Sequence, residues 1–352
     1  MRKPKLFELD LVRAVAIAAV LLIHATASAT VDIPFTSRAQ VLYDVVNKLS
    51  YFAVFLFILL SGVVLFYSYM DNWKLSSILT FYRKRLQYIL IPYLIWSFFY
   101  YLFYPAITPD WGVELDWMKF LSDIRWGDTS YHLYFMIIIM QFYLVFPLLV
   151  TIAKYWGLFR RYLWVFGVLI QVGAYLFHTY VHPIDHRVTL FPTYIGLFCI
   201  GGSIGMYYSG FIMWLNRNVW WVTAATVALG SIFTGLSILG RHGIVYSQHL
   251  FELLFNLYAV GVAASFIWIG RHLLETSPRL SGMLSSMGAN SFGIYFIHPA
   301  LLYVWMSYVV ASPMSFQYHG VVVGGLLVIF TIPWLIVAIL KRVPGSWILF
   351  GK

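Results

Sequence analysis

The residues of this chain predict an all-α membrane protein, a bundle of about ten transmembrane helices with both termini cytoplasmic. Three observations carry that expectation. Of the 352 residues, 61% are hydrophobic and only 10% charged, whereas a soluble domain carries about 25% charged residues. The apolar residues gather into runs long enough to cross a bilayer, which takes about 20 residues. Lysine and arginine then fall mainly on one side of the alternation those runs define.

The expected spans lie at roughly 8–28, 48–69, 86–105, 131–152, 161–177, 190–208, 218–238, 249–270, 289–311 and 319–341. They are too long and too uniformly apolar for outer-membrane strands, which alternate with a period of two. The first reads FELDLVRAVAIAAVLLIHATASA and carries Arg13 and His24 inside it. With no clear small-residue cleavage site it is expected to stay as a helix rather than leave as a signal peptide. The second, AVFLFILLSGVVLF, is broken by Ser61 and Gly62. The third follows the basic loop FYRKR and carries Pro92. His132 opens the fourth, with Gln141 and Pro147 inside it. The fifth and sixth flank a short loop with His178, His182 and His186, and Cys199 lies in the sixth. Glu252 begins the eighth, and the ninth holds Asn290, Ser291 and His298, followed by Pro299. The longest connection runs from about Pro105 to Ser130, too short for a soluble domain. The chain reads as one domain over residues 1–352, without repeats or low-complexity tracts.

The net charge of +10 could suggest nucleic acid, but the distribution argues for topology. With the N-terminus inside, the inner side holds sixteen of the 23 Lys and Arg, from Arg2, Lys3 and Lys5 to Lys341, Arg342 and Lys352. Six fall outside: Arg38, Lys48, Lys119, Arg125, Arg187 and Arg241. Arg13 stays in the membrane. No nucleic-acid partner is expected. The loop from Asp110 to Asp128 is acidic. Aromatics at span ends, among them Tyr100, Tyr101, Trp156, Trp164, Trp220, Trp221 and Trp347, suit interfacial anchoring. On the outer side Trp111, Trp117 and Trp126 could also stack on a carbohydrate.

The ionisable residues inside spans are the candidates for chemistry, because such groups are costly in lipid. Eleven residues at 1.5 Å each separate Arg13 from His24 by about 16 Å, so they cannot touch. One helix thus offers a fixed cation near one face and a titratable imidazole deeper in. The alternative is packing alone, with Arg13 snorkelling to Asp10 or Glu8 and His24 hydrogen-bonded within the bundle. Asp10 and Arg13, at i,i+3, can pair in either case. Ser61 is either a nucleophile served by a base or a packing residue. Arg83, Lys84 and Arg85 could hold a phosphorylated cofactor, or could simply follow the positive-inside rule beside anionic lipid. His132 and His298 are further candidates. The three loop histidines invite a metal reading, but Pro183 breaks the helix there and no second ligand set accompanies them, so no metal is expected. Cys199, the single cysteine, reads as a small packing residue.

Several stretches, in order, resemble the acyltransferase 3 family of integral-membrane acyltransferases. They are LDLVRAVAIAAVLLIH (9–24), FLFILLSGVVLF (55–66), FYRKRLQYILIPY (81–93), HLYFMIIIMQFYLVFPLL (132–149) and SFGIYFIHPAL (291–301). The resemblance implies a ten-helix fold and transfer of an acyl group, acetyl being the expected one, from cytoplasmic acyl-CoA, a co-substrate rather than a resident cofactor. The acceptor it implies is a hydroxyl of a cell-surface polysaccharide or a lipid-linked precursor. It implies His24 as catalytic base, Arg13 on the donor's path, and Arg83 and Arg85 with neighbouring Lys84 near the CoA phosphates. Tyr88 stands where the family often has a further arginine, and Tyr134 where many members have tryptophan. Some members add an extracytoplasmic hydrolase-like domain, which is not expected after a chain ending at Lys352. The location implied is a bacterial plasma membrane, multi-pass, in contact with lipid. A different class of function also fits a polytopic bundle with intramembrane His and Arg: a transporter exporting a polysaccharide or lipid-linked intermediate.

Overall fold

The computed structural model describes residues 3–35, 37–108 and 116–351. Arg2, Asp110, Trp111 and Lys352 lie outside the described residues. Among the described residues the regular structure is helical, with no strand.

The principal helices are α1 (Glu8–Ala27), α2 (Arg38–Ser50), α3 (Phe52–Tyr69), α4 (Ile78–Arg85), α5 (Ile91–Ile107), α6 (Trp117–Trp126), α7 (Tyr134–Tyr155), α8 (Leu163–Tyr180), α9 (Ile195–Met206), α10 (Tyr208–Arg241), α11 (Gln248–Thr276), α12 (Pro278–Tyr308) and α13 (Phe316–Leu340). Each of the ten expected spans falls on a helix. Eight helical stretches among the described residues are long and apolar enough to cross a membrane. The other two expected spans fall on α9, whose 12 residues reach only about 18 Å, and on α12, which has 31 residues with a polar first half; neither is among the eight.

Four details depart from the expectation. The second span begins ten residues early, at Arg38, because Ser37 caps α2 by accepting from the Ala39 amide at 3.2 Å. Arg83, Lys84 and Arg85 are not in a loop but form the last turn of α4, where cations suit the helix dipole. A π-helical turn at Leu86–Leu90 then leads into α5, just before Pro92, whose missing N–H would interrupt a regular ladder. The connection after Pro105 contains α6, started by the Asp116 carboxylate on the amides of Met118 and Lys119 and stopped by Gly127 at φ +79°. Gly127 also lies against the Tyr134 backbone, so a side chain there would collide. Finally, Tyr100 is fully buried rather than interfacial, while Trp220 and Trp221 are exposed.

Contacts divide the chain into two compact units. The first comprises 1–3, 61–207 and 339–352, the second 4–60 and 208–338. In the first unit, α9 lies close on the second half of α3: a Cβ at Gly62 would collide with the Phe198 carbonyl, and one at Gly205 with that of Val63. Gly167 of α8 packs on Cys199, so the cysteine's small size is what it contributes. Phe66, Tyr69, Trp73, Phe81 and Phe146 form an edge-to-face cluster beside this crossing.

In the second unit α1 is the central strut. Its residues Leu9, Leu11, Val12, Ala14, Ala16, Ile17 and Leu21 are all essentially buried. It meets α2, α11 and α12. Gly288 of α12 sits directly on the Asp10 carbonyl and Gly270 of α11 beside that of Glu8. α10 and α11 pair through Gly230 against the Tyr258 ring and Gly261 against Thr226.

This packing separates two glycines of α12. Gly288→Ala should destabilise by about 1–3 kcal/mol, since the obstacle is backbone. Gly282→Ala meets nothing within 4 Å and should be stabilising by about 0.5–1 kcal/mol through helix propensity. Thermal melts of the detergent-solubilised protein should show opposite shifts; two shifts of the same sign would contradict the close α1–α12 contact.

Candidate active site

The strongest cluster of polar groups in the second unit follows α1. At its start, Glu8 is buried and its Oε1 accepts from the Tyr208 hydroxyl at 2.8 Å and from Arg271 at 2.9 Å. Asp10 is also buried and bridges two cations, Lys5 and Arg13, each at 2.6 Å. The Asp10 pairing expected for Arg13 is therefore formed, while Glu8 belongs to Arg271. The Arg13 side chain keeps 30% exposure while its guanidinium is paired with Asp10.

Three turns further along, His24 is half-buried. On one side its ring stacks with that of His298 from α12, centroids 5.3 Å apart and planes 29° apart. His298 itself is 0% exposed. Beside the same turn, Asn47 of α2 donates to the Ile23 carbonyl and to the Thr26 hydroxyl, both at 2.9 Å. The turn carrying the imidazole is thereby held by two neighbouring helices.

The contribution of α2 was not anticipated. Its buried residues are Gln40, Asp44, Asn47 and Ser50, all polar, while Leu42 is exposed. Gln40, Asp44 and Asn47 recur at i, i+4 and i+7, one face of a helix. Asp44 receives Gln40 at 2.9 Å and Arg241 at 3.0 Å, and Arg241 also donates to the Thr30 carbonyl at 2.9 Å. The signal was in the sequence, as a polar stripe in RAQVLYDVVNKLS, but it lay upstream of the apolar run that marked the expected span.

The remaining candidates belong to the first unit. Arg83 and Lys84 are exposed, whereas Arg85 is half-buried. The Arg85 guanidinium lies 4.9 Å from the Phe81 ring centre and 4.5 Å from that of Tyr143, a flanking only a planar cation fills well. The three basic residues are thus not equivalent. Ser61 is half-buried on α3. His132 is buried, with Nδ1 3.0 Å from the Ser130 hydroxyl, which is 2.9 Å from that of Tyr104. Of the three histidines expected in the loop, His178 lies instead in the last turn of α8, and its Nδ1 accepts from the Ile184 amide at 2.8 Å. His186 stacks on Trp126 at 4.2 Å, covering one face of a ring considered for carbohydrate.

Residues 6–338 match the acyltransferase domain of one known family. The chain belongs to the acyltransferase 3 family. It is also 23% identical over 323 residues to the Bacillus subtilis (strain 168) protein named "Putative membrane-bound acyltransferase YfiQ", covering 83% of this chain and 79% of the relative. No solved structure matches it. This acyltransferase 3 protein is accordingly a multi-pass membrane enzyme, an O-acyltransferase. The matched region runs through residues of both units and includes the candidate residues from Glu8 to His298.

The Asn47 clamp has a measurable cost. Asn47→Leu, of similar volume, removes the donor to Ile23 and Thr26 and should destabilise this acyltransferase 3 protein by about 1–3 kcal/mol. Thermal unfolding in detergent reads it, and an unchanged melting temperature would show that the clamp contributes little.

Proposed function

We propose that this enzyme moves an acyl group, acetyl in the first instance, from cytoplasmic acyl-CoA to a hydroxyl of a cell-surface carbohydrate or its lipid-linked precursor, with His24 as general base. The observation that supports the reading is the setting of His24: a half-buried imidazole in the apolar part of α1, stacked with His298, on a turn that Asn47 holds through Ile23 and Thr26. A polar group kept in such surroundings without a task would be a cost.

In the proposed reaction His24 takes the proton from the acceptor hydroxyl as its oxygen attacks the thioester carbonyl. The C–O bond forms, the C–S bond breaks, and the proton passes to the departing CoA thiolate. Direct transfer needs no enzyme nucleophile; an acyl-serine at Ser61 is the covalent variant of the same chemistry. Arg13, held by Asp10 on the N-terminal part of the same helix, would line the donor's path. The phosphates of CoA would be met by Arg83, Lys84 and Arg85. Arg85, kept in one orientation by Phe81 and Tyr143, is the one suited to a directional contact, while Arg83 and Lys84 supply diffuse positive charge. The charge bias of the sequence supports a cytoplasmic side for these residues, and a bacterial plasma membrane is the location proposed with it.

Purified protein, labelled acetyl-CoA and candidate glycans test this reading directly. Free CoA with label on the glycan supports it; movement of glycan into vesicles without CoA release would favour an exporter instead. His24→Ala should fold and lose transfer by about 10²-fold or more, and wild-type turnover by that variant would end the assignment of the base. Arg85→Lys should raise the KM for acyl-CoA several-fold, more than Arg83→Lys does, because lysine cannot keep the flat contact with two rings.

A further inference from the structure

We infer that His298 is the positioning residue for His24: a second histidine that never meets substrate but fixes the ring plane, and so the reacting edge, of the first. The inference rests on the reading of His24 as the base and adds a residue whose role the reaction alone does not require.

Three observations support it. The two rings are offset-stacked, 5.3 Å between centroids and 29° between planes, an arrangement that fixes one ring plane relative to the other. Their accessibilities differ: His24 is half-buried and His298 is 0% exposed. A group sealed to that degree cannot touch an acceptor or a thioester, so any influence it has passes through His24. Third, His298 is itself anchored. Its Nδ1 lies 3.1 Å from the Ile294 carbonyl one turn earlier. A carbonyl oxygen only accepts, so Nδ1 carries the hydrogen and the ring cannot flip without losing that bond. Pro299 follows directly and has no N–H to offer the Tyr295 carbonyl, which loosens the helix where the side chain folds back on it.

The anchoring extends to the helices. α12 is brought against α1 by Gly288 on the Asp10 backbone, about three turns from the stack along α12 and about four along α1. Rotation of His24 about its own side-chain bonds is then limited by a ring whose position is set from the backbone of α12. A proton acceptor that must face a hydroxyl on one side and a departing thiolate in the same encounter gains from that restriction.

The test replaces the ring without emptying its site. His298→Leu keeps volume and removes the ring; His298→Phe keeps a ring and removes the anchoring nitrogen. With His24 as base, His298→Leu should lower kcat about tenfold or more while the KM for acetyl-CoA stays within about twofold, and His298→Phe should recover most of that loss. The ¹⁵N resonances of His24 in the detergent-solubilised protein, assigned by their absence in His24→Ala, should shift and broaden in the leucine variant. Equal impairment of the leucine and phenylalanine variants, or His24 resonances unchanged in the leucine variant, would overturn the positioning role. If the leucine variant does not fold, the phenylalanine variant decides alone: His24 resonances close to wild type support the stack, and resonances spread over several ring orientations refute it. Full turnover by His24→Ala would instead overturn the base assignment, and the resonances would still report whether His298 orients the ring.

Discussion

Lipid offers no hydrogen bonds, so every polar side chain that a membrane helix carries has to be answered by protein. α1 carries Glu8, Asp10, Arg13, His24 and Thr26 within twenty residues, and the second unit is organised around answering them. Tyr208 and Arg271 reach Glu8, Lys5 and Arg13 share Asp10, and Asn47 holds Thr26. Tyr208, Arg271 and Asn47 come from three other helices, while Lys5 and Arg13 are local to α1. Together they set α1 in depth and in rotation, and with it the turn that carries His24 against His298.

The glycines serve the same end by a different route. Close helix approach is how membrane helices gain contact without a hydrophobic driving force between them. Gly288 on the Asp10 carbonyl brings α12 near enough for His298 to stack with His24. In the first unit Gly62 and Gly205 do the equivalent for α3 and α9. There the aromatic cluster around Phe81 continues to Tyr143, and these two rings hold the Arg85 guanidinium. In both units a candidate residue packs against an aromatic ring carried by another helix.

Much of this was legible in the residues. Apolar run length located ten helices because burying a backbone in lipid requires them, and the outlier status of Arg13 and His24 followed from the cost of ionisable groups there. The Asp10–Arg13 pair followed from helix spacing. The errors came where length and composition stop being informative. α2 is hidden from a reading by composition because a helix that buries Gln40, Asp44 and Asn47 while exposing Leu42 has no apolar stripe. Arg83–Arg85 read as loop because charge was taken to mark a boundary, although cations are good helix formers in a last turn.

The sequence by itself determined the class of fold, the family, and which residues of α1 stand out, since these depend on local composition and on spacing along one helix. Only the tertiary structure decided that His298 backs His24, that Asn47 clamps the same turn and that Arg85 differs from Arg83. Those pairings join residues separated by tens to hundreds of positions. They are set by where small residues let helices approach, and no periodicity along one helix encodes which other helix it will meet.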